Sequence, residues 1–143
     1  ITAADFNGDA SSDVLLQDAM GNGHILIMKA NSTDAIGTVN SASTVTGPGA
    51  GWNITSSGDF NGDGKSDILW SNTTTGQTEV FLMNGGTVAT TGAALNNGTN
   101  LKAVGTGDFN SDGKSDIAFQ NQTDFSVTVW TMNGTTTRKA CAK

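Results

Sequence analysis

Three short loops of this chain carry oxygen-bearing side chains at one fixed spacing. The clearest is DFNGDGKSD at residues 59–67, which recurs as DFNSDGKSD at 108–116 and as DFNGDASSD at 5–13. Positions 1, 3, 5 and 9 of every copy have a side-chain oxygen, and the main chain adds a carbonyl at position 7. Ca²⁺ takes roughly six to eight oxygen ligands, so these groups and water suffice. The spacing predicts about three Ca²⁺ sites, one per loop.

The charge distribution supports this chemistry and excludes others. Nine of the 13 acidic residues lie in the loops, and three divalent cations would cancel the net charge of −6. The seven Lys and Arg residues form no long run, which argues against nucleic-acid binding. An EF-hand is excluded because position 12 is Leu16, Trp70 or Phe119 instead of Glu. Each of these residues lies in an apolar run that predicts a strand.

The elements that position the loops are predicted to be short strands. The loops begin at residues 5, 59 and 108, and a period near 50 residues favours a propeller-type repeat of about four strands per unit. The expected fold is all-β, a single repeat domain of three blades at about 1–50, 51–99 and 100–143. In the second unit we expect strands at 52–57, 67–71, 79–83 and 87–90. The middle two are apolar on both faces and should be sandwiched between neighbours, with the polar fourth at the rim.

Residues 59–70, DFNGDGKSDILW, resemble the FG-GAP-like or VCBS repeat family of integrin-α-like calcium-binding repeats. The resemblance covers three repeats and implies a β-propeller with one Ca²⁺ per blade, in the hairpin between the first two strands. By this resemblance the metal ligands would be Asp5, Asn7, Asp9, Ser11 (carbonyl), Asp13, Asp59, Asn61, Asp63, Lys65 (carbonyl), Asp67, Asp108, Asn110, Asp112, Lys114 (carbonyl) and Asp116. The first loop has Ala10 where the others have Gly, so we expect site one to be the weakest.

Several features favour a secreted protein. Calcium sites of low affinity suit an extracellular setting. The chain begins with Ile1 instead of Met, which indicates processing or a partial chain, and no apolar run is long enough to span a membrane. Cys141 is the sole cysteine, and a free thiol in a frayed tail is favoured over an interchain bridge. Candidate N-glycosylation sites, relevant only in a glycosylating host, are Asn31, Asn53, Asn72, Asn97, Asn121 and Asn133.

No enzyme motif is visible, because His24, the only histidine, has no accompanying Ser or Cys motif. The leading hypothesis is a structural or adhesive module that self-associates into a ring or a filament, with Ile1–Ala4 as an open edge and the tail 135–143 as a fourth strand or a donor to a partner. The first alternative is a glycan-binding lectin, in which Trp52, Trp70 and Trp130 stack on sugars; core packing of these rings is favoured. The second is a fragment of a larger adhesin or enzyme.

Overall fold

The structure is a computed structural model that describes residues 1–30 and 38–142, with the backbone alone for residues 139–142. Within these ranges all regular secondary structure is β, in agreement with the expected fold class. No stretch of these residues forms a helix with the length and apolarity needed to cross a membrane.

The strands form three antiparallel sheets that follow one another along the chain, and within each sheet the first four strands pair in chain order. The first sheet contains β1 (Thr2–Ala4), β2 (Asp13–Gln17), β3 (Gly23–Met28) and β4 (Val39–Val45). The second contains β5 (Asn53–Gly58), β6 (Asp67–Asn72), β7 (Gln77–Asn84), β8 (Thr87–Thr91) and β9 (Leu95–Asn96). The third contains β10 (Leu101–Gly107), β11 (Asp116–Asn121), β12 (Val127–Asn133) and β13 (Thr136–Ala142).

Two details of the strands differ from the expectations. The two-residue strand β9 pairs with β7 and was not predicted. The tail forms β13, which pairs along its length with β12, and the backbone of Cys141 lies opposite Val129. The predictions of a frayed tail at Cys141 and of a loose tail that donates a strand to a partner are therefore both wrong, because hydrogen bonding within its own sheet already occupies the backbone of the tail. The alternative prediction of a fourth strand is the correct one.

Apolar side chains between the sheets form two separate clusters. The first lies between the first and second sheets and contains Phe6, Leu15, Ile25, Ile27, Val45, Ile68, Trp70, Phe81 and Met83. The second lies between the second and third sheets and contains Phe60, Leu69, Val80, Ala103, Ile117, Phe119 and Met132. The second sheet contributes to both because side chains alternate across a strand, so Trp70 faces one neighbour and Leu69 the other. Every residue of β6 is buried, as its two-sided apolar sequence predicts.

Main-chain hydrogen bonds join consecutive sheets at the loops. The amide of Ser66 donates to the carbonyl of Asp5 at 2.7 Å, and the amide of Ser115 donates to the carbonyl of Asp59 at 2.6 Å. One residue further along, the carbonyls of Phe6 and Phe60 accept from the turn glycines Gly85 (3.0 Å) and Gly134 (2.8 Å). The same junction is thus built twice. The described residues form a row of three sheets and not a closed ring.

Candidate metal centre

Each predicted metal loop connects the first and second strands of its sheet. Residues 5–12 follow β1, residues 59–66 follow β5, and residues 108–115 follow β10, and in each case the position-9 aspartate opens the next strand. Twelve of the fifteen predicted ligand residues therefore lie in three equivalent β-hairpin loops, at the place that the resemblance implies, and the other three, Asp13, Asp67 and Asp116, are the first residues of the strands that follow.

The aspartate at position 1 is held by main-chain amides from its own loop. In the second loop Asp59 Oδ2 accepts from the amide of Gly64 at 2.8 Å, and Oδ1 accepts from Gly62 at 2.6 Å and from Asp63 at 3.1 Å. Asp5 and Asp108 accept from the amides at positions 5 and 6 in the same way. The loop is thus wrapped around this carboxylate in all three copies.

Positions 3 and 5 form a hydrogen-bonded pair. Asn61 Nδ2 donates to Asp63 Oδ2 at 3.1 Å, while Asn61 Oδ1 accepts from the amide of Asp63 at 3.0 Å. The amide of Lys65 closes the set on Asp63 Oδ1 at 2.9 Å. The first and third loops repeat this arrangement. The side-chain oxygens of positions 1, 3 and 5 therefore lie within one small loop that is closed by its own hydrogen bonds.

The aspartate at position 9 is buried and ties the loop to the third strand of its sheet. Asp67 accepts from the amide of Phe60 at 2.8 Å on Oδ2 and from the amide of Met83 at 2.8 Å on Oδ1. Burial raises the pKa of Asp67 to about 7, the two amide bonds oppose this shift, and the charges of Asp63 and Asp59 add to it. A bound cation would favour the ionised form. The anchoring bond to β7 is not visible in the loop sequence.

The oxygen atoms of each loop fit a cation that prefers oxygen ligands, but the carboxylates alone do not form a complete ligand set. In residues 1–30 and 38–142, no three His, Cys, Asp or Glu side chains converge closely enough to hold a metal by themselves. A Ca²⁺ ion in these loops would also need the asparagine at position 3 and the carbonyl at position 7. The Lys65 ammonium points elsewhere, since its Nζ donates to Asn84 Oδ1 at 2.6 Å. Arg138 contacts Asp112 Oδ2 at 3.2 Å, an ion pair that the motif did not predict.

Two positions of each loop adopt the left-handed conformation that favours glycine. At position 6, Gly64 and Gly113 have φ of 81°, and Ala10 has φ of 68°, as anticipated for the first loop. Position 4 has the same requirement, met by Gly8 and Gly62 but by Ser111 (φ 62°) in the third loop. Only the second loop has glycine at both positions. Backbone strain is therefore present in both the first and the third loop, whereas the sequence predicted it for the first loop alone.

The candidate glycosylation sites differ in accessibility. Asn53 and Asn133 are exposed, whereas Asn97 and Asn121 are partly buried. Asn72 is buried, and its Oδ1 accepts from the amides of Thr74 and Thr75 in the turn after β6. Asn31 and the side chain of Cys141 lie outside the described residues.

The single histidine belongs to a structural contact. His24 Nε2 lies 2.9 Å from Asp18 Oδ2, and its Nδ1 lies 3.2 Å from Thr44 Oγ1. The histidine, followed by the amide of Asn22, lowers the pKa of Asp18 to about 2. Asp18 also accepts from the amides of Met20 and Asn22, so it caps the β2–β3 turn. This cluster connects that turn to β4 and shares no described hydrogen bond with the metal loops.

The three tryptophans have different environments. Trp70 is fully buried in the first cluster, 5.7 Å from the Phe81 ring centroid, so it packs in the core as favoured. Trp130 packs against Phe119 with the ring centroids 4.9 Å apart. Trp52 is partly buried and lines a cleft of about 540 Å³ between the β2–β3 turn and residues 49–53. Trp70 and Trp130 do not line this cleft.

Comparison with known proteins gives a family. A family model described as FG-GAP-like repeat matches residues 5–70 and, in a second overlapping hit, residues 59–119. Both matches include a complete acidic loop at each end of the repeat. Repeats of this kind generally have no enzymatic activity of their own. No curated protein and no solved structure matches the chain. The matched region covers well over half of the sequence, and the chain belongs to the FG-GAP-like repeat family.

Proposed function

We propose that this chain is a secreted, calcium-binding β-propeller-repeat module with a structural or adhesive role. The observation that carries the proposal is the threefold repetition of one hydrogen-bonded loop, with an Asp, Asn and Asp at positions 1, 3 and 5 and a buried Asp at position 9. Like charges this close repel one another, and a divalent cation removes that cost.

Calcium in this position would act on the junctions between sheets as well as on the loops. The carbonyl of Asp59 accepts from Ser115 of the next loop, while the side chain of the same residue is a proposed ligand. A cation that holds Asp59 therefore also holds the hydrogen bond to the third sheet. Three such sites would stiffen a chain that has a single cysteine and hence no internal disulfide.

Thermal unfolding of the purified chain in Ca²⁺ and in chelator tests this proposal. Calcium binds the native loops and not the unfolded chain, so the melting temperature should fall markedly in chelator. Equal melting temperatures in the two conditions would contradict it. Isothermal titration with Ca²⁺ gives the number of sites, for which we expect about three by the one-per-loop argument.

The location and the assembly state are further parts of the proposal. Weak calcium sites operate where calcium is abundant, outside the cell, and exposed sequons at Asn53 and Asn133 suit a glycoprotein. A propeller closes with roughly four to eight blades. Three sheets fall short of that number, so the module would complete its row by self-association, as a ring or as a filament. The alternative of a fragment from a larger adhesin or enzyme is tested by the intact mass of the native protein.

A second candidate is a carbohydrate-binding lectin, and the cleft at Trp52 favours it. Its lining combines an aromatic ring with polar groups, among them Asp18, Gln17 and Asn53. Gln17 is held in place by bonds to the carbonyl of Trp52 (2.9 Å) and the amide of Ile54 (2.9 Å). Sugars are typically bound by such a mixture of ring face and hydrogen-bonding groups. Binding to a glycan array that Trp52→Ala abolishes would support this function; no binding by a folded, calcium-loaded protein would exclude it.

A further inference from the structure

We propose that the third sheet binds the first sheet of a second copy of this chain, head to tail, by repeating the junction that joins consecutive sheets within the chain. The inference deepens the self-association proposed above by naming its surface, its partner and its direction. The junction has three parts: the position-1 carbonyl, the position-2 carbonyl and the ring of the position-2 phenylalanine.

Among the residues that the structure describes, none covers or hydrogen-bonds these three parts of the third sheet. Phe6 and Phe60 are fully buried against the following sheet, whereas the equivalent Phe109 is 55% exposed. The carbonyls of Asp108 and Phe109 accept no hydrogen bond of this kind within residues 1–30 and 38–142. An exposed aromatic ring beside two carbonyls that lack this hydrogen bond marks an interaction surface.

The face behind Phe109 continues this apolar surface. The cross-strand pair Leu69–Val80 is buried in the second cluster, and its equivalent in the third sheet is Ala118–Val129. Both residues of the latter pair are only partly buried, and nearby Val127 is 42% exposed. The third sheet therefore has a second apolar face equivalent to the one that the second sheet buries against its neighbour. In the third sheet this face is partly exposed.

The first sheet carries two parts of the complementary surface on its outer side, an apolar patch and the position-8 donor. The cross-strand pairs Ile68–Phe81 and Ile117–Trp130 face the preceding sheet, and their equivalent in the first sheet is Val14–Leu26. Leu15 and Ile25 point into the first cluster, so Val14 and Leu26, which alternate with them, lie on the opposite face and are partly exposed. Ser12, the equivalent of the donors Ser66 and Ser115, is exposed as well.

Side chains at the loops favour the chain's own first sheet as the occupant. At both internal junctions a lysine at position 7 crosses the position-4 glycine of the preceding loop: Cγ of Lys65 lies 3.5 Å from where a Cβ on Gly8 would be, and Lys114 stands likewise over Gly62. At the two open ends the pair changes on both sides, to Ser111 at position 4 and Ser11 at position 7. The larger residue on one end is thus matched by the smaller residue on the other.

Mixing two variants that block opposite ends tests the proposal. Phe109→Asp places a charge on the outer face of the third sheet, and Leu26→Asp places one on the outer face of the first sheet. Val88→Asp is a control on the exposed strand β8. Light scattering in Ca²⁺ should give an assembly for the parent chain and for Val88→Asp, but the 14.6 kDa monomer for each of the other two. An equimolar mixture of Phe109→Asp and Leu26→Asp should form a one-to-one pair and nothing larger. The first variant keeps an intact outer face on its first sheet, the second keeps one on its third sheet, and only these two faces can bind.

Three results would overturn the inference: a monomeric parent chain, an unchanged assembly of Phe109→Asp, or a mixture that forms no pair. Circular dichroism and Ca²⁺ titration of each variant are measured alongside, and Leu26→Ser replaces Leu26→Asp if the latter is unfolded. A parent chain that binds calcium and stays monomeric refutes the head-to-tail contact while leaving the calcium sites intact. A parent chain that binds no calcium but assembles through Phe109 refutes the calcium sites and supports the head-to-tail contact.

Discussion

The main-chain amide of Met83 donates a 2.8 Å hydrogen bond to Oδ1 of Asp67, a buried carboxylate sixteen residues earlier in the chain. The same bond joins Met28 to Asp13 and Met132 to Asp116, at 2.9 Å in both cases. The ninth position of each loop is therefore part of the sheet as well as part of the proposed metal site. Two kinds of substitution in one loop should separate these roles.

Asp67→Asn should destabilise the protein even when calcium is absent. Both carboxylate oxygens of Asp67 accept main-chain amides, and an asparagine would turn an NH₂ group toward one of these donors. A buried donor left without an acceptor costs about 1–3 kcal/mol. Urea unfolding in chelator, at a pH below the Asp67 pKa of about 7, measures this loss, because above that pKa the buried charge destabilises the parent chain and offsets it. Stability equal to that of the parent chain would show that the anchor is dispensable.

Asp63→Ala should remove mainly the stability that depends on calcium. Among the described residues the Asp63 carboxylate is hydrogen-bonded only within its own loop, to Asn61 and the amide of Lys65, so its loss leaves the sheet intact. One site saturated at 100 times its Kd contributes about 2.7 kcal/mol, and this part should disappear. Calcium titration should show one site fewer. Thr90→Ala on the exposed strand β8 is the control and should leave both the melting temperature and the calcium stoichiometry unchanged.

Ala10→Gly and Ser111→Gly should each stabilise the protein and tighten calcium binding in their own loops. Both residues have positive φ, which costs a non-glycine residue about 1–2 kcal/mol, partly offset by the greater freedom of glycine in the unfolded chain. A net gain of roughly 0.5–1 kcal/mol remains. The second site should be the tightest, with the first and third weaker. Ala19→Gly, at a residue without positive φ, should not stabilise, and a gain there would point to some other cause.

The contact between Asp18 and His24 should contribute stability only above the acidic range. The pKa of Asp18 is lowered to about 2 in the folded chain from an ordinary value of 3.8, so the folded state favours the ionised form. This contribution is present above the ordinary pKa and is lost as the pH falls through about 2. Asp18→Asn retains the turn cap, as Asn72 does in the second sheet. Denaturant unfolding should show a difference between parent and variant near neutral pH that vanishes in strong acid; a constant difference would exclude ionisation as its cause.

Much of the architecture was predictable because it depends on short-range pattern. The loop spacing and the two-sided apolar strands, such as 67–71, predicted three successive antiparallel sheets and a buried Trp70. The junctions were not predictable, because the carbonyl of Asp5 and the amide of Ser66 are far apart in the chain and carry no side-chain signature. Position 4 is glycine in the first two loops, at Gly8 and Gly62, and this indicated a second left-handed position. Only the φ angles showed that Ser111 adopts the same conformation in the third loop.

The sequence by itself determined the residues of each loop, the family and the order of the strands, since alternating side chains and glycine positions are local properties of the chain. Only the tertiary structure decided that the position-9 aspartates are sheet anchors, that the tail is a paired strand, and that Phe109 is exposed where Phe6 and Phe60 are buried. The physical reason is the same in each case. Burial and main-chain hydrogen bonding depend on which neighbour covers a residue, and three closely similar motifs acquire different surroundings when the last of them has no following sheet within the described residues.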